Sequence, residues 1–286
     1  MEMQILLFGI ALPVIFGVAF SVWRVTRSRE FRFGSFFGVA IAIVLLTSAI
    51  SEDPLQNFTT LNRWLWFPCS ILLCGFITGI GDLFSRSFGA RVFISCSSVI
   101  LGALFIDIPE WGNVTSRLVL GMATALCSTL LFVVVQRRNF FSTSISLSFA
   151  LIAPSVLAML SGFAKLAVPI GAASCCLGFV SLVRLTTQSK TPLNECVGFS
   201  GAVVIACIAA LGAATGWSYD TNEIPIAAWL LASIAPLGLW LGELPFIRLR
   251  PTLSAWARIL GCVILAASSI FITVFALNSS SPQVVE

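Results

Sequence analysis

The chain has 286 residues, 58% of them hydrophobic and 10% charged, with a mean hydropathy of +1.02 and a formal net charge of +4. These values exclude a soluble globular domain. Histidine is absent, which excludes imidazole ligation of haem, His-containing zinc sites and His-based acid–base catalysis.

A bilayer span takes roughly 20 apolar residues, so the length has room for about ten spans with short loops. The fold class expected is an all-α polytopic integral membrane protein. In chain order the apolar windows place spans near 4–23, 35–51, 64–82, 91–107, 117–136, 142–160, 165–184, 195–216, 224–245 and 253–277. The first lacks a basic n-region and a small-residue cleavage site, so it reads as a retained anchor. The continuous run 141–184 is divided at Ser161-Gly162-Phe163, because a single helix of that length does not fit a bilayer. Prolines at Pro13, Pro154, Pro169 and Pro236 fall within spans, where each removes a helical hydrogen bond.

Basic residues accumulate on the cytoplasmic side of membrane proteins. Of the 16 here, Arg24, Arg27, Arg29, Arg32, Arg86, Arg91, Arg137, Arg138, Arg184, Lys190, Arg248, Arg250 and Arg258 fall on one face. Only Arg63, Arg117 and Lys165 fall on the other. The bias places both termini on the non-cytoplasmic side, in a plasma or inner membrane. The loop Arg24–Arg32, with Phe31 and Phe33 interleaved, suits anionic headgroups, and nothing in the charge pattern implies nucleic acid.

The chain also shows internal similarity. Ser21-Val-Trp-Arg24-Val-Thr26 resembles Ser181-Leu-Val-Arg184-Leu-Thr186, and an offset of 163 aligns Gly38 with Gly201, Trp66 with Trp229, Ser70 with Ser233, Ile71 with Ile234, Gly75 with Gly238 and Gly79 with Gly242. The plan expected is a first four-span unit over 1–110, two connecting spans over 111–163 and a second four-span unit over 164–286. Two parallel units of this kind are related by an axis along the membrane normal and leave a seam between them.

The repeated core supplies the candidate site. At 100° per residue Trp66 shares a face with Ser70, and Trp229 with Ser233, making these four the candidate cavity-lining residues. Gly75, Gly79, Gly238 and Gly242 lie roughly opposite, where missing side chains allow another helix to approach, and are the candidate packing residues. Just beyond them Asp82 and Glu243 end their spans next to arginines, with Arg91 and Arg248 among the candidate partners of a gate or ion pair. Ser142, Thr143, Ser144, Ser146 and Ser148 open the sixth span and are expected to cap it or to bond across to neighbours.

Gly79-Ile80-Gly81-Asp82 resembles the G-x-G-D signature of intramembrane aspartyl proteases and prepilin peptidases, and Tyr219-Asp220 resembles their second aspartate motif. That chemistry needs two carboxylates sharing one proton, whereas Asp82 and Asp220 are expected at opposite membrane faces. No metal-ligand cluster, P-loop or nucleophile elbow is present in the sequence, so neither cofactor nor metal is expected. The nine cysteines include no C-x-x-C pair and read as small buried hydrophobes. Two functions lead, ahead of a membrane enzyme acting on lipid: a small-solute permease or exporter using the seam, or a structural or assembly subunit of a membrane protein complex. Their partners are the bilayer with a small solute, and the bilayer with another protein.

Overall fold

In a computed structural model, residues 34–52, 63–85, 87–106, 113–135, 140–186 and 197–280 are described, together with the isolated positions 11 and 15. The expected span 4–23, the loop Arg24–Arg32, the segment Ser21–Thr26, and Arg86, Arg137, Arg138 and Lys190 lie outside them. The described residues form helices and no strand: α1 (Gly34–Glu52), α2 (Trp66–Phe84, entered by a 3₁₀ turn at Arg63–Leu65), α3 (Phe88–Phe105), α4 (Val114–Val135), α5 (Phe140–Leu160), α6 (Ala164–Thr186), α7 (Gly198–Ser218), α8 (Ile226–Ile234), a 3₁₀ segment (Ala235–Glu243), α9 (Pro245–Arg248) and α10 (Pro251–Ser280). Among the described residues eight helical stretches are long and apolar enough to cross a membrane, with a shorter apolar helix at Phe36–Glu52. The chain is an all-α, multi-pass membrane protein.

The helix ends follow from local sequence. Ser87 caps α3, its hydroxyl accepting from the Ala90 amide at 3.2 Å. Between α5 and α6, Gly162 adopts φ 85°, Gly162 N donates to Met159 O, and Phe163 N donates to Ala158 O. This Schellman motif satisfies carbonyls that a helix end otherwise leaves orphaned, and it requires the left-handed conformation that glycine adopts freely. The loop after α7 completes the same end: Thr221 donates to Ser161 O from both its amide and its hydroxyl, and Asn222 Nδ2 donates to Leu160 O at 2.6 Å.

The core is organised around α7. Buried residues cover 89% of its apolar window, against 28% for α3 and for α10, whose outer faces meet lipid. Small residues make that central position accessible. A methyl group on Gly38 would overlap Ser200, one on Gly201 would lie 2.8 Å from the Phe37 ring, and one on Gly75 would lie 3.2 Å from Val204. Helices α1, α2 and α7 therefore cross at backbone distance, and the crossing is hydrogen-bonded: Ser200 Oγ donates to Gly75 O at 3.1 Å and Thr78 Oγ1 lies 3.3 Å from Ser200 Oγ.

Helices α5 and α6 form an antiparallel hairpin joined by serines. Ser144 and Ser181 hydroxyls meet at 2.6 Å, Ser148 and Ser174 each donate to the other's carbonyl at 2.7 and 2.8 Å, and Ser155 donates to Ala167 O at 2.8 Å. Gly178 lies against Ser148 and Gly171 against Ser155, so small residues face each hydroxyl. Ser144 and Ser148 thus bond to a neighbouring helix while Ser146 donates to Ser142 O of its own, and Pro154 and Pro169 are accommodated within these two helices.

Candidate functional site

The ninth expected span, read as one helix over 224–245, is two structures in series. It starts as α8 and at Ala235 changes to a nine-residue 3₁₀ segment ending at Glu243. Runs of 3₁₀ longer than three or four residues are uncommon, because side chains three apart eclipse and the hydrogen bonds are poorer. Local chemistry explains the change. Pro236 has no amide hydrogen to continue an α-helical ladder, and Ala235, Pro236, Gly238, Leu239 and Gly242 form a buried surface with the three-residue period of the tighter helix. The segment also gains reach: at 2.0 Å per residue in place of 1.5 Å, residues 226–243 extend about 31 Å, enough for a hydrocarbon core of about 30 Å, where an unbroken α-helix reaches about 27 Å.

Two glycines seat the segment on α10. A methyl on Gly238 would lie 2.5 Å from Cys262 N and 2.5 Å from Gly261 C, and one on Gly242 would lie 2.6 Å from Ser254 O. Gly261 faces Gly238 from the other side, so the two backbones touch. Ser254 Oγ donates to Gly242 O at 2.8 Å, and Ser269 Oγ donates to Ala228 O at 2.8 Å.

At the end of the segment stands an ion pair. Arg258, on α10, is 4% exposed. Its Nη2 lies 3.3 Å from Glu243 Oε1 and 2.6 Å from Ser254 Oγ, while its Nη1 donates to Ser142 Oγ at 3.1 Å. One guanidinium thereby links the 3₁₀ segment, α10 and the start of α5. Glu243 is paired with Arg258, and Arg248 lies exposed on α9. The reason is the extended backbone at Leu244 (φ −56°, ψ 138°), which carries the chain away from Glu243 before α9 begins. A second pair joins α2 to α3: Arg91 Nε lies 3.2 Å from Asp82 Oδ1 and also donates to Ser85 O at 3.2 Å. It is more open, with side-chain exposures of 20% and 10%.

The other candidate residues fall in different settings. Gly79 is buried in α2. Trp66 is exposed at the start of α2, whereas Trp229 is buried, its ring against Gly216 and its Nε1 donating to Asp220 Oδ2 at 3.4 Å. Phe67 packs one turn along α7 against Gly212, so α7 occupies the space between α2 and α8. Ser233 is partly exposed and donates to its own Leu230 O. Ser70 is 2% exposed, and its hydroxyl has no hydrogen-bond partner among the described residues. The four cavity candidates therefore do not share one surface in this conformation.

Asp82 and Asp220 are far apart. Phe67 meets Gly212, Gly75 meets Val204 and Thr78 meets Ser200, so α2 and α7 run antiparallel and carry the two aspartates to opposite ends. Asp220 accepts the amides of Asn222 and Ile224 as well as the Trp229 indole, a loop-closing arrangement. Among the described residues no group of three or more His, Cys, Asp or Glu is placed to hold a metal.

Arg258 as a deeply placed cation, and Gly212 and Gly216 as contact points, were not singled out from sequence. The signals were present as a basic residue inside the expected span 253–277 and as a G-x-x-x-G spacing. No protein-family model, curated protein or solved structure matches the chain.

Proposed function

We propose that the chain is a small-solute permease in which the 3₁₀ segment at Ala235–Glu243 is the moving part and the Glu243–Arg258 pair is its latch. The observation that carries this reading is the nine-residue 3₁₀ run inside a membrane span, since interrupted spans serve as hinges and binding elements in transporters. Rewinding nine residues from 3₁₀ to α shortens them by about 4–5 Å and turns one end against the other by about half a revolution. That motion withdraws Glu243 from Arg258 and rotates the buried row containing Pro236 and Leu239. Asp82 and Arg91 form the companion closure at the same end, and Ser70, a buried hydroxyl without a described partner, is the candidate polar lining of the opened path.

The two-unit plan belongs to this reading. Gly38 backs onto Ser200 while Gly201 backs onto Phe37, so the 163-residue offset returns each contact to its counterpart, as a two-fold relation requires. Orientation follows the basic-residue bias, with the latch on the cytoplasmic face.

The test is thiol labelling of single cysteines introduced through 66–82 and 229–243, measured above the parent chain with a membrane-impermeant reagent from each side. The permease reading expects Ser70→Cys and Leu239→Cys to react and to react faster when Arg258 is replaced. Reaction confined to helix ends in both backgrounds overturns it and favours a structural or assembly subunit, for which the closely packed α7 and the hydroxyls bonded to neighbouring helices are the supporting observations.

A further inference from the structure

The turn between the 3₁₀ segment and α10 has a surface unlike the rest of the molecule. Phe246 and Leu249, exposed at 90% and 85%, are the most exposed large apolar side chains among the described residues, and they alternate with Arg248 and Arg250, which are also exposed. The element is short and fixed: Ile247 and Arg248 amides both donate to Leu244 O, Arg250 donates to Ile247 O, and Ser254 N donates to Arg250 O. The turn lies at the end of an apolar span and at the start of α10, the level of the lipid headgroups. Trp256, 65% exposed, follows about 9 Å along α10 on the acyl side.

We propose that Leu244–Arg250 is an anionic-phospholipid site, with Phe246 and Leu249 entering the boundary between headgroups and acyl chains and Arg248 and Arg250 engaging the phosphodiester and any further anionic group. Charge complementarity selects the lipid. Guanidinium binds phosphate oxygens through paired donors, and Glu243, the acidic residue of this segment, is engaged with Arg258. The apolar pair distinguishes a lipid from a soluble phosphate, because only a lipid supplies acyl chains to cover Phe246 and Leu249. The site is independent of the permease reading, although a lipid held here would also hold the far side of the Glu243 latch.

The test uses the full chain in bilayers containing brominated phosphatidylglycerol or brominated phosphatidylcholine, whose bromines quench nearby tryptophan. The Trp256 component is isolated by subtracting the Trp256→Phe variant. The proposal expects phosphatidylglycerol to be preferred on the order of tenfold, from the attraction of two arginines near the membrane surface. The preference should vanish in Arg248→Gln/Arg250→Gln, survive in Arg248→Lys/Arg250→Lys, and be unaffected by millimolar glycerol phosphate. Equal quenching by the two lipids in the parent chain, or a preference retained in the glutamine variant, overturns it. Displacement by glycerol phosphate also overturns it and makes the site one for soluble phosphate.

Discussion

Replacing Arg258 by methionine removes a cation that is 4% exposed and has Glu243, Ser142 and Ser254 among its polar partners. The side chains are close in volume, so cavity formation contributes little. The cost comes from removing the guanidinium that stands 3.3 Å from the Glu243 carboxylate, itself 12% exposed. Breaking one side of a buried pair typically costs about 3–5 kcal/mol, whereas replacing both sides with uncharged groups is close to neutral. The expected ladder is therefore a loss of about 3–5 kcal/mol for Arg258→Met, a somewhat smaller loss for Glu243→Gln, whose amide still accepts from the arginine, and near-recovery in the double variant. Reversible unfolding in mixed micelles of the parent, the two single variants and the double variant gives the coupling energy directly. A coupling below about 0.5 kcal/mol, the range of exposed pairs, would refute the latch, because water would then screen the pair in the closed state.

Gly238→Ala should separate the 3₁₀ segment from α10 by about 1 Å, since the methyl meets two backbone atoms at 2.5 Å; the expected loss is about 1–3 kcal/mol, read as a lower unfolding midpoint. Ser148→Ala removes one of two reciprocal bonds to Ser174 and should cost only about 0.6 kcal/mol, at most about 1.7, in the same unfolding assay. Gly216→Ala places a methyl 2.5 Å from the Trp229 ring and should shift the indole from Asp220, visible as a changed near-ultraviolet circular dichroism signal. Ser70→Ala removes a hydroxyl that makes no described hydrogen bond, so stability should hold or rise slightly; a loss of solute flux in that variant, or in Ser70→Ala/Ser233→Ala, then reports function rather than folding.

What was legible in the sequence followed from quantities that do not depend on tertiary contacts. Span positions come from apolar length, which the bilayer itself dictates, and the turn at Ser161-Gly162-Phe163 from a glycine whose left-handed φ closes the helix. Ser144 and Ser148 were legible as cross-bonding groups because a hydroxyl in the bundle must find a partner on a neighbouring helix or, as Ser146 does, on its own backbone. The 3₁₀ segment was legible only as an interruption at Pro236: its residues are as apolar as those of a neighbouring α-helix, and how far the tighter winding runs depends also on where Gly238 and Gly242 meet the α10 backbone. Arg258 was counted with loop charges although it stands inside an expected span, and its pairing with Glu243 depends on the turn at Leu244, which redirects Arg248. The cavity expected from Trp66, Ser70, Trp229 and Ser233 rested on helix phase alone, and phase carries no information about which helix stands between two others; here that helix is α7.

The position of α7 also restricts how the molecule can move. A helix buried over 89% of its apolar window, crossing α1 and α2 at glycines and bonded through Ser200 to α2, cannot shift without disturbing contacts on several sides. The 3₁₀ segment has the opposite character: Trp240 and Leu241 face outward at 39% and 43%, and its inner side rests mainly on α10. Cores that are closely packed respond by switching between discrete arrangements at their weaker interfaces rather than by deforming throughout. In this bundle the segment depends mainly on one neighbour, α10, through Gly238, Gly242, the Ser254 hydroxyl and the Arg258 guanidinium. A conformational change that opens a path therefore begins with Glu243 leaving Arg258 and leaves α7 in place, so labelling that changes along 235–243 should be accompanied by none along 200–212.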